Sequence, residues 1–159
     1  MYKILANDGL DKSAIDKLTT NGFTVITPKY AQADLPHHIK DFDVVVVRSA
    51  TKIRKPEIDA ASKLKLIIRA GVGIDNIDAA YAQSKGIKVS NTPLASLHAV
   101  AEMVFAHLFS GVRFLHNSNR QMILTGATQF NRLKAEYSKG TELKGKTIGI
   151  IGFGNIGME

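Results

Sequence analysis

Short apolar segments and amphipathic segments alternate along the first ninety residues of the chain. The apolar segments are rich in β-branched residues and are bounded by Gly, Pro, Asn or Asp, a pattern that predicts strands. The predicted strands cover residues 2–6, 23–27, 44–47, 64–69 and 87–90. The stretches between them carry apolar residues at helical spacing, and Asp11 and Pro56 are suited to helix starts. Because parallel neighbours need crossover connections, this alternation predicts an α/β fold with a parallel sheet and helices on both faces.

The third predicted strand consists of four consecutive valines at residues 44–47. An unbroken β-branched run is typical of a strand that is buried on both faces. Ligands of such sheets bind beyond the carboxyl ends of the strands. The candidate functional loops are therefore those that follow Val47, Arg69 and Val89.

The pattern changes after Pro93. Residues 99–115 carry apolar side chains close to one face and predict a long helix, and residues 117–126 predict a second helix. Residues 129–145 are polar, basic and weakly patterned, which predicts an extended surface arm. Residues 146–151 then return to an apolar strand pattern.

The composition of the chain is that of an ordinary globular protein, with 45% hydrophobic and 22% charged residues among 159. The absence of cysteine excludes a disulfide scaffold and thiolate metal sites. No apolar run approaches the roughly 18 residues of a membrane helix, and the N-terminal run is too short for a signal peptide. We therefore expect a cytoplasmic protein without membrane contact. The histidines form no recognisable ligand set, so no metal site is predicted.

The net charge of +7 is compatible with an anionic partner. The basic residues are scattered, with no aromatic residues interleaved and no recognition motif. Nucleic-acid binding is therefore not expected.

A glycine-rich turn follows the last predicted strand, where Gly152, Gly154 and Gly157 form the pattern G-x-G-x-x-G. In dinucleotide-binding folds the first glycine makes a tight turn, the second lets backbone approach a pyrophosphate, and the third lets helix and strand pack closely. Amides at the start of the following helix then face the phosphates. The motif indicates a dinucleotide cofactor, and a plain glycine turn that ends an apolar strand is the alternative.

Five segments carry a family resemblance that covers essentially the whole chain. In order they are V-R-S-A-T-K at 47–52, R-A-G-V-G-I-D-N-I-D at 69–78, N-T-P at 91–93, V-A-E at 100–102 and the glycine turn at 152–157. In sequence, order and spacing they resemble the D-isomer-specific 2-hydroxyacid dehydrogenase family, and above all its D-3-phosphoglycerate dehydrogenase branch.

The resemblance implies two domains. Residues 1–97 would be a flavodoxin-like substrate-binding lid, and residues 98–159 would be a connecting helix, an arm and the first strand and glycine turn of a truncated Rossmann NAD-binding domain. In the family the helix and arm also form the dimer contact, so we expect a homodimer through residues 98–135. One strand of an absent sheet cannot pair its own backbone groups, so residues 148–151 should fray, pair with another copy or pack on the lid.

Substrate binding is expected on two loops. Arg48 ends a buried strand, where a guanidinium can pair with a carboxylate or phosphate through two parallel hydrogen bonds, although a solvated basic loop is the alternative. Arg69 is a second candidate anion contact, with pairing to a structural acid as its alternative. The resemblance implies that backbone amides of both loops also hold the substrate. The expected substrate-binding residues are Arg48, Ser49, Ala50, Thr51, Arg69, Gly71, Val72 and Gly73.

The resemblance also implies NAD as cofactor, with Val72 against the nicotinamide. The expected cofactor-binding residues are Val72, Asn91, Thr92, Gly152, Gly154, Asn155, Ile156 and Gly157. In the family a histidine takes the hydroxyl proton, an acidic residue orients it and an arginine holds the carboxylate. These catalytic residues lie downstream of the glycine motif, so none is assigned to this chain.

The function expected from the resemblance is oxidation of 3-phospho-D-glycerate to 3-phosphohydroxypyruvate with NAD, the first step of serine synthesis. We expect this chain to be an N-terminal fragment that is inactive alone. Two alternatives remain open: another D-2-hydroxyacid dehydrogenase of the glycerate or hydroxypyruvate type, and a stand-alone module that binds a small acid.

Overall fold

A sheet of five parallel strands forms the first of two structural units in the computed structural model, which describes all 159 residues. This unit spans Met1–Ala95. Its strands are β1 (Lys3–Ala6), β2 (Thr24–Ile26), β3 (Val44–Val47), β4 (Leu66–Arg69) and β5 (Lys88–Asn91). Its helices are α1 (Lys12–Thr20), α2 (Leu35–Ile39), α3 (Lys55–Ala60) and α4 (Ala79–Ser84).

The strand order is β2-β1-β3-β4-β5, and every neighbouring pair is parallel. This is the flavodoxin-like order of a doubly wound sheet. The α/β fold predicted from the alternation of segments is therefore confirmed. β3 lies between β1 and β4, so the loops after these three strands meet at one edge of the sheet.

The hydrophobic core lies on both faces of the sheet, because successive side chains of a strand point to opposite faces. One face buries Ile4, Ala6 and Val46 beneath residues of α1 and its flanks. The other face buries Leu5, Val45, Val47 and Ile67 beneath α2, α3 and α4. The burial of valines on both faces confirms the interpretation of residues 44–47 as an interior strand.

Two helix starts follow the sequence signals. The Asp11 carboxylate accepts a hydrogen bond from the amide of Ser13 at 2.8 Å, which caps α1. Pro56 lies in the first turn of α3, where its missing N–H costs nothing.

The second unit, Ser96–Glu159, is helical. It contains α5 (Leu97–Val112), α6 (Leu115–Tyr137) and the short α7 (Asn155–Met158). Phe114 separates α5 from α6 with a positive φ of 55°, a conformation in which a helix cannot continue. No helix of the chain combines the length and apolar character that crossing a membrane requires.

The surface arm predicted at residues 129–145 is wrong over its first half. α6 continues to Tyr137, with non-helical angles at Gln129 only. Leu133 is buried, and Arg132 pairs with Glu136 one turn later at 2.9 Å. The burial of Leu133 and the Arg132–Glu136 ion pair stabilise this part of α6, although its polar composition does not predict a helix.

The strand predicted at residues 146–151 does not form. These residues adopt no regular structure, and Ile148, Ile150 and Ile151 are largely exposed. A parallel strand needs a hydrogen-bonded neighbour on at least one side, and no strand of this unit supplies one. The absence of a sheet here agrees with the expectation that a lone strand frays.

Candidate functional site: the carboxyl edge of the sheet

Two arginines come from the neighbouring ends of β3 and β4. Val47 pairs with Arg69 in the parallel register, so Arg48 is the next residue of the chain beyond that pair. The side chain of Arg48 is exposed and that of Arg69 is half-buried. Neither guanidinium forms a salt bridge with a carboxylate. The carboxyl edge therefore holds two cations from neighbouring strand ends, neither of them in a salt bridge.

The loop after β3, residues 48–51, wraps around the carboxylate of Asp8, which comes from the loop after β1. One oxygen of Asp8 accepts the amide of Arg48 at 2.6 Å and the amide of Thr51 at 3.1 Å. Its other oxygen accepts the hydroxyl of Thr51 at 2.6 Å. The amides of Arg48 and Thr51 and the Thr51 hydroxyl are thus all hydrogen-bonded to the Asp8 carboxylate.

These hydrogen bonds set the charge state of Asp8. Burial acts to raise the pKa of its carboxyl, but the Thr51 hydroxyl and the amides of Arg48 and Thr51 outweigh it and lower the pKa below its ordinary value. Asp8 is therefore a stable internal anion at neutral pH.

A buried amide fixes the β3 loop from the opposite side. Asn76, in the loop after β4, donates from Nδ2 to the carbonyl of Arg48 at 2.8 Å and to the carbonyl of Thr51 at 2.7 Å. The backbone groups of residues 48 and 51 are then occupied on both sides. The exposed Ser49 and Ala50 make no hydrogen bond within the chain through their amides.

Thr51 differs from its three neighbours in the predicted substrate loop. It is buried, and its hydroxyl accepts a hydrogen bond from Nδ2 of Asn7 at 2.9 Å while it donates to Asp8. With hydroxyl and amide both occupied, Thr51 has the geometry of a residue that holds the loop. Arg48, Ser49 and Ala50 present free groups, and their roles in binding stay predictions.

The guanidinium of Arg69 is oriented by two hydrogen bonds. Its Nε donates to Oδ1 of Asn76 at 3.3 Å, and its Nη1 donates to the carbonyl of Ala70 at 2.8 Å. The group lies over Gly71, where a Cβ would come within 1.8 Å of Nη1. Gly71 also has a φ of +154°, so both space and backbone conformation favour glycine there.

The loop after β4 is tied to the end of β5. The amide of Thr92 donates to the carbonyl of Gly71 at 3.1 Å, and Nδ2 of Asn91 donates to the carbonyl of Val72 at 2.6 Å. Gly71 uses its own amide in a bond to the Arg69 carbonyl at 2.9 Å. Of the three amides predicted to hold a carboxylate, those of Val72 and Gly73 remain unbonded within the chain. The Val72 side chain is exposed and accessible to a ligand.

The glycine turn of the second unit has the shape that its pattern predicts, although the strand before it is missing. Gly152 has a positive φ of 97° and makes the turn. A Cβ on Gly157 would lie 2.3 Å from the carbonyl of Gly152, so the third glycine permits close packing. A Cβ on Gly154 would meet nothing within 4 Å, and α7 starts directly after it with Asn155 and Ile156. This arrangement fits a pyrophosphate approached by backbone.

Two histidines have specific contacts. His38 stacks on Tyr30 with ring centroids 3.8 Å apart, and His98 contacts the carboxylate of Glu159. No group of three or more His, Asp or Glu side chains is placed to hold a metal ion.

Asp8 and Asn76 are the site residues that sequence reasoning missed. In the sequence, Asp8 belongs to the turn signal after the first strand, and Asn76 lies within the family segment at 69–78. The signal for Asp8 was available, because it too follows a strand at the carboxyl edge. Asn76 lies seven residues beyond the end of β4, and no spacing rule points to it.

The fold and the edge together define an α/β domain that presents basic groups and free amides at the carboxyl ends of a flavodoxin-like sheet. Residues 4–143 match the family described as D-isomer specific 2-hydroxyacid dehydrogenase, catalytic domain. The chain belongs to this family, whose members are NAD-dependent oxidoreductases acting on CH–OH groups.

Three relatives illustrate the relationship. The chain is 42% identical over 159 residues to a hydroxypyruvate reductase of Thermotoga maritima. The match covers 99% of the chain and 50% of that protein. It is 40% identical to a D-3-phosphoglycerate dehydrogenase of Methanocaldococcus jannaschii, over 100% of the chain and 29% of that protein. The crystal structure of NAD⁺-bound 3-phosphoglycerate dehydrogenase of Entamoeba histolytica matches with a TM-score of 0.62 and 35% identity, over 70% of the chain and 39% of that one. The chain thus spans half or less of the length of these relatives.

Proposed function

We propose that the chain is the substrate-binding lid, residues 1–97, and the beginning of the NAD-binding domain, residues 98–159, of a dehydrogenase that oxidises 3-phospho-D-glycerate in serine biosynthesis. The observation that carries this proposal is that Arg48 and Arg69 come from the neighbouring ends of β3 and β4 and that neither guanidinium forms a salt bridge.

Two adjacent cations suit a substrate with two anionic groups. A guanidinium binds a carboxylate or a phosphate through parallel hydrogen bonds. Phosphoglycerate carries one of each, whereas glycerate and hydroxypyruvate carry only a carboxylate. The phosphorylated acid therefore uses both arginines, and the smaller acids leave one of them unpaired.

Backbone amides complete the proposed contacts. The unbonded amides of Ser49 and Ala50 flank Arg48, and those of Val72 and Gly73 follow Arg69. Amides that are fixed in position bind an anion without the loss of side-chain entropy that a long cation incurs. We assign the substrate carboxylate to Arg69 with Val72 and Gly73, and the phosphate to Arg48 with Ser49 and Ala50.

The cofactor proposed is NAD. Gly152, Gly154, Asn155, Ile156 and Gly157 would hold its pyrophosphate, and Val72, Asn91 and Thr92 would contact it from the lid. Bound NAD supplies the acceptor for the hydride of the carbinol carbon. The residues of this chain contribute binding and orientation, and the proton-transfer histidine with its acid and arginine belongs to the family's remaining sequence.

The direct test is titration of the 159-residue chain with 3-phosphoglycerate, glycerate and hydroxypyruvate. Isothermal calorimetry measures the affinity, and amide NMR shifts locate the binding site. We expect weak binding of phosphoglycerate, with the largest shifts at residues 48–50 and 72–73. Arg48→Gln and Arg69→Gln should each weaken it about tenfold or more. Arg120→Gln, a change of an exposed arginine on α6, serves as the control for loss of one charge and should leave binding unchanged.

Two outcomes separate the alternatives. Equal binding of glycerate and phosphoglycerate would favour a substrate of the hydroxypyruvate reductase type, which the 42% identity to that relative supports. Binding as tight as that of a finished site would favour a stand-alone module for small acids. Assay of the native gene product with NAD and 3-phosphoglycerate then tests the reaction.

We further propose a homodimer through residues 98–135, in the cytoplasm. Large apolar side chains of α5 and α6 are exposed in the single chain: Met103, Val104, Phe105, Phe109, Ile123 and Leu124. Exposed apolar side chains in this number on two helices support an interface with another chain. Sedimentation equilibrium tests this, and Phe109→Lys should shift the chain toward the monomer.

A further inference from the structure

Asn76 joins the two arginine-bearing segments of the carboxyl edge. Its Nδ2 group donates two hydrogen bonds to the β3 loop, to the carbonyls of Arg48 and Thr51. Its Oδ1 accepts the Nε–H of Arg69. The side chain is 5% exposed, so all its polar atoms are buried and all have protein partners.

The chemistry of this position suits asparagine. The site needs two donors on one atom for two carbonyls and one acceptor on a neighbouring atom for a guanidinium. Aspartate supplies the acceptor but no donor, and serine supplies one donor only. Glutamine has the right groups on a longer stem, which does not fit a buried position.

We infer that Asn76 is a positioning residue for the anion site: it sets the Arg48 backbone and the Arg69 guanidinium at a fixed separation, so that both meet one substrate. This inference rests on the proposed function, because it takes the two arginines to be the anion contacts. The second fixing point on the β3 loop, Asp8, does not contact Arg69. Asn76 therefore controls the relation between the arginines, while Asp8 controls the β3 loop alone.

The experiment compares three variants of the 159-residue chain. Asn76→Ala removes all three hydrogen bonds, and Asn76→Asp keeps the acceptor for Arg69 while it removes both donors. Ile39→Val, on the buried side of α2, is the control for general destabilisation, because α2 contributes none of these bonds. The readouts are the Nε–H NMR signal of Arg69 and the affinity for inorganic phosphate and for 3-phosphoglycerate. Far-UV circular dichroism confirms that each variant is folded.

We expect Asn76→Ala to move the Arg69 Nε–H signal and to weaken phosphate binding about tenfold relative to Ile39→Val, because a hydrogen bond to a charged group is lost together with one loop constraint. In Asn76→Asp the Arg69 Nε–H stays hydrogen-bonded, now to a carboxylate oxygen, and should remain protected from exchange, while hydrogen exchange at residues 48–51 becomes faster. If Asn76→Ala fails to fold, the Arg69 NMR signal and the hydrogen exchange of Asn76→Asp test the positioning role.

Different results overturn different statements. Equal phosphate affinity in Asn76→Ala and Ile39→Val, or an unmoved Arg69 signal, overturns the positioning role. A wild-type chain that binds phosphate but not 3-phosphoglycerate overturns the proposed substrate, while the phosphate measurements still judge Asn76. A wild-type chain that binds neither anion overturns both.

Discussion

Substitution of Thr51 by valine separates the two roles that sequence and structure give this residue. Valine keeps the shape of threonine and removes only the hydroxyl. If Thr51 contacts substrate, the change weakens binding and leaves stability nearly constant. If Thr51 holds the β3 loop, as its contacts with Asn7 and Asp8 indicate, the change lowers stability in the absence of any ligand.

The magnitude follows from the two hydrogen bonds of the hydroxyl. The bond from Asn7 Nδ2 at 2.9 Å is between neutral groups, and the bond to Asp8 Oδ1 at 2.6 Å is to a carboxylate. These contribute about 1 and about 2 kcal/mol, so we expect a loss of about 3 kcal/mol in the free energy of unfolding. For a domain of this size that corresponds to a fall in Tm of about 15 °C.

The assay is urea denaturation of both proteins, followed by far-UV circular dichroism at neutral pH without ligand. The control is Thr19→Val on α1, which removes an exposed hydroxyl that bonds only to the Ile15 carbonyl, and which should change stability by less than about 0.5 kcal/mol. A second readout is specific to the contact: the pKa of Asp8 should rise in Thr51→Val, because the hydroxyl is one of the groups that lower it. Stability within about 0.5 kcal/mol of wild type and an unmoved pKa of Asp8 would refute the structural role.

Three further predictions concern the same edge and the chain as a whole. Gly71→Ala should displace the Arg69 guanidinium and weaken phosphate binding, since a Cβ would lie 1.8 Å from Nη1. The control Gly149→Ala should leave phosphate affinity unchanged, because a Cβ there would meet nothing within 4 Å. Unchanged affinity in both variants would contradict the packing of Arg69 on Gly71. Because the pKa of Asp8 is lowered in the folded chain, its stabilising contribution is complete above about pH 4 and is lost as pH falls through the lowered value. Unfolding free energies at pH 7 and pH 3 should therefore differ less in Asp8→Asn than in wild type, and an equal difference would show that Asp8 is not involved. The isolated chain should form no NADH from NAD and 3-phosphoglycerate, and steady-state NADH production would show that it holds a complete active site.

The strands of the first unit were predictable because their information is local. Four consecutive valines between turn signals indicate an interior strand, whereas the register that pairs Val47 with Arg69 was not predicted and comes from the structure. The second unit was less predictable. The helix at residues 129–137 depends on the burial of Leu133, which is a tertiary contact, and residues 146–151 have strand propensity without a neighbour to pair with.

Within the site, the strand-end rule found the arginines but not the side chains that fix them. Periodicity tells which residue follows a strand, and it does not tell whether that residue turns inward. Thr51 turns inward because Asp8 and Asn7, more than forty positions earlier, offer it two partners. Asn76 depends in the same way on carbonyls 25 and 28 positions before it. Such pairings are set by the fold and leave no mark in local sequence.

The distribution of charge at the carboxyl edge favours a bound anion. The stability of the unliganded chain does not by itself explain this distribution. Asp8 neutralises the inner side of the β3 loop, so the protein already holds the anion that this loop needs in order to fold. The charge of Arg48 helps to lower the pKa of the Asp8 carboxyl, but neither Arg48 nor Arg69 forms a salt bridge. The amides of Ser49, Ala50, Val72 and Gly73 are also unbonded within the chain. An anion with two charged groups would pair with these amides and with both guanidinium groups at once.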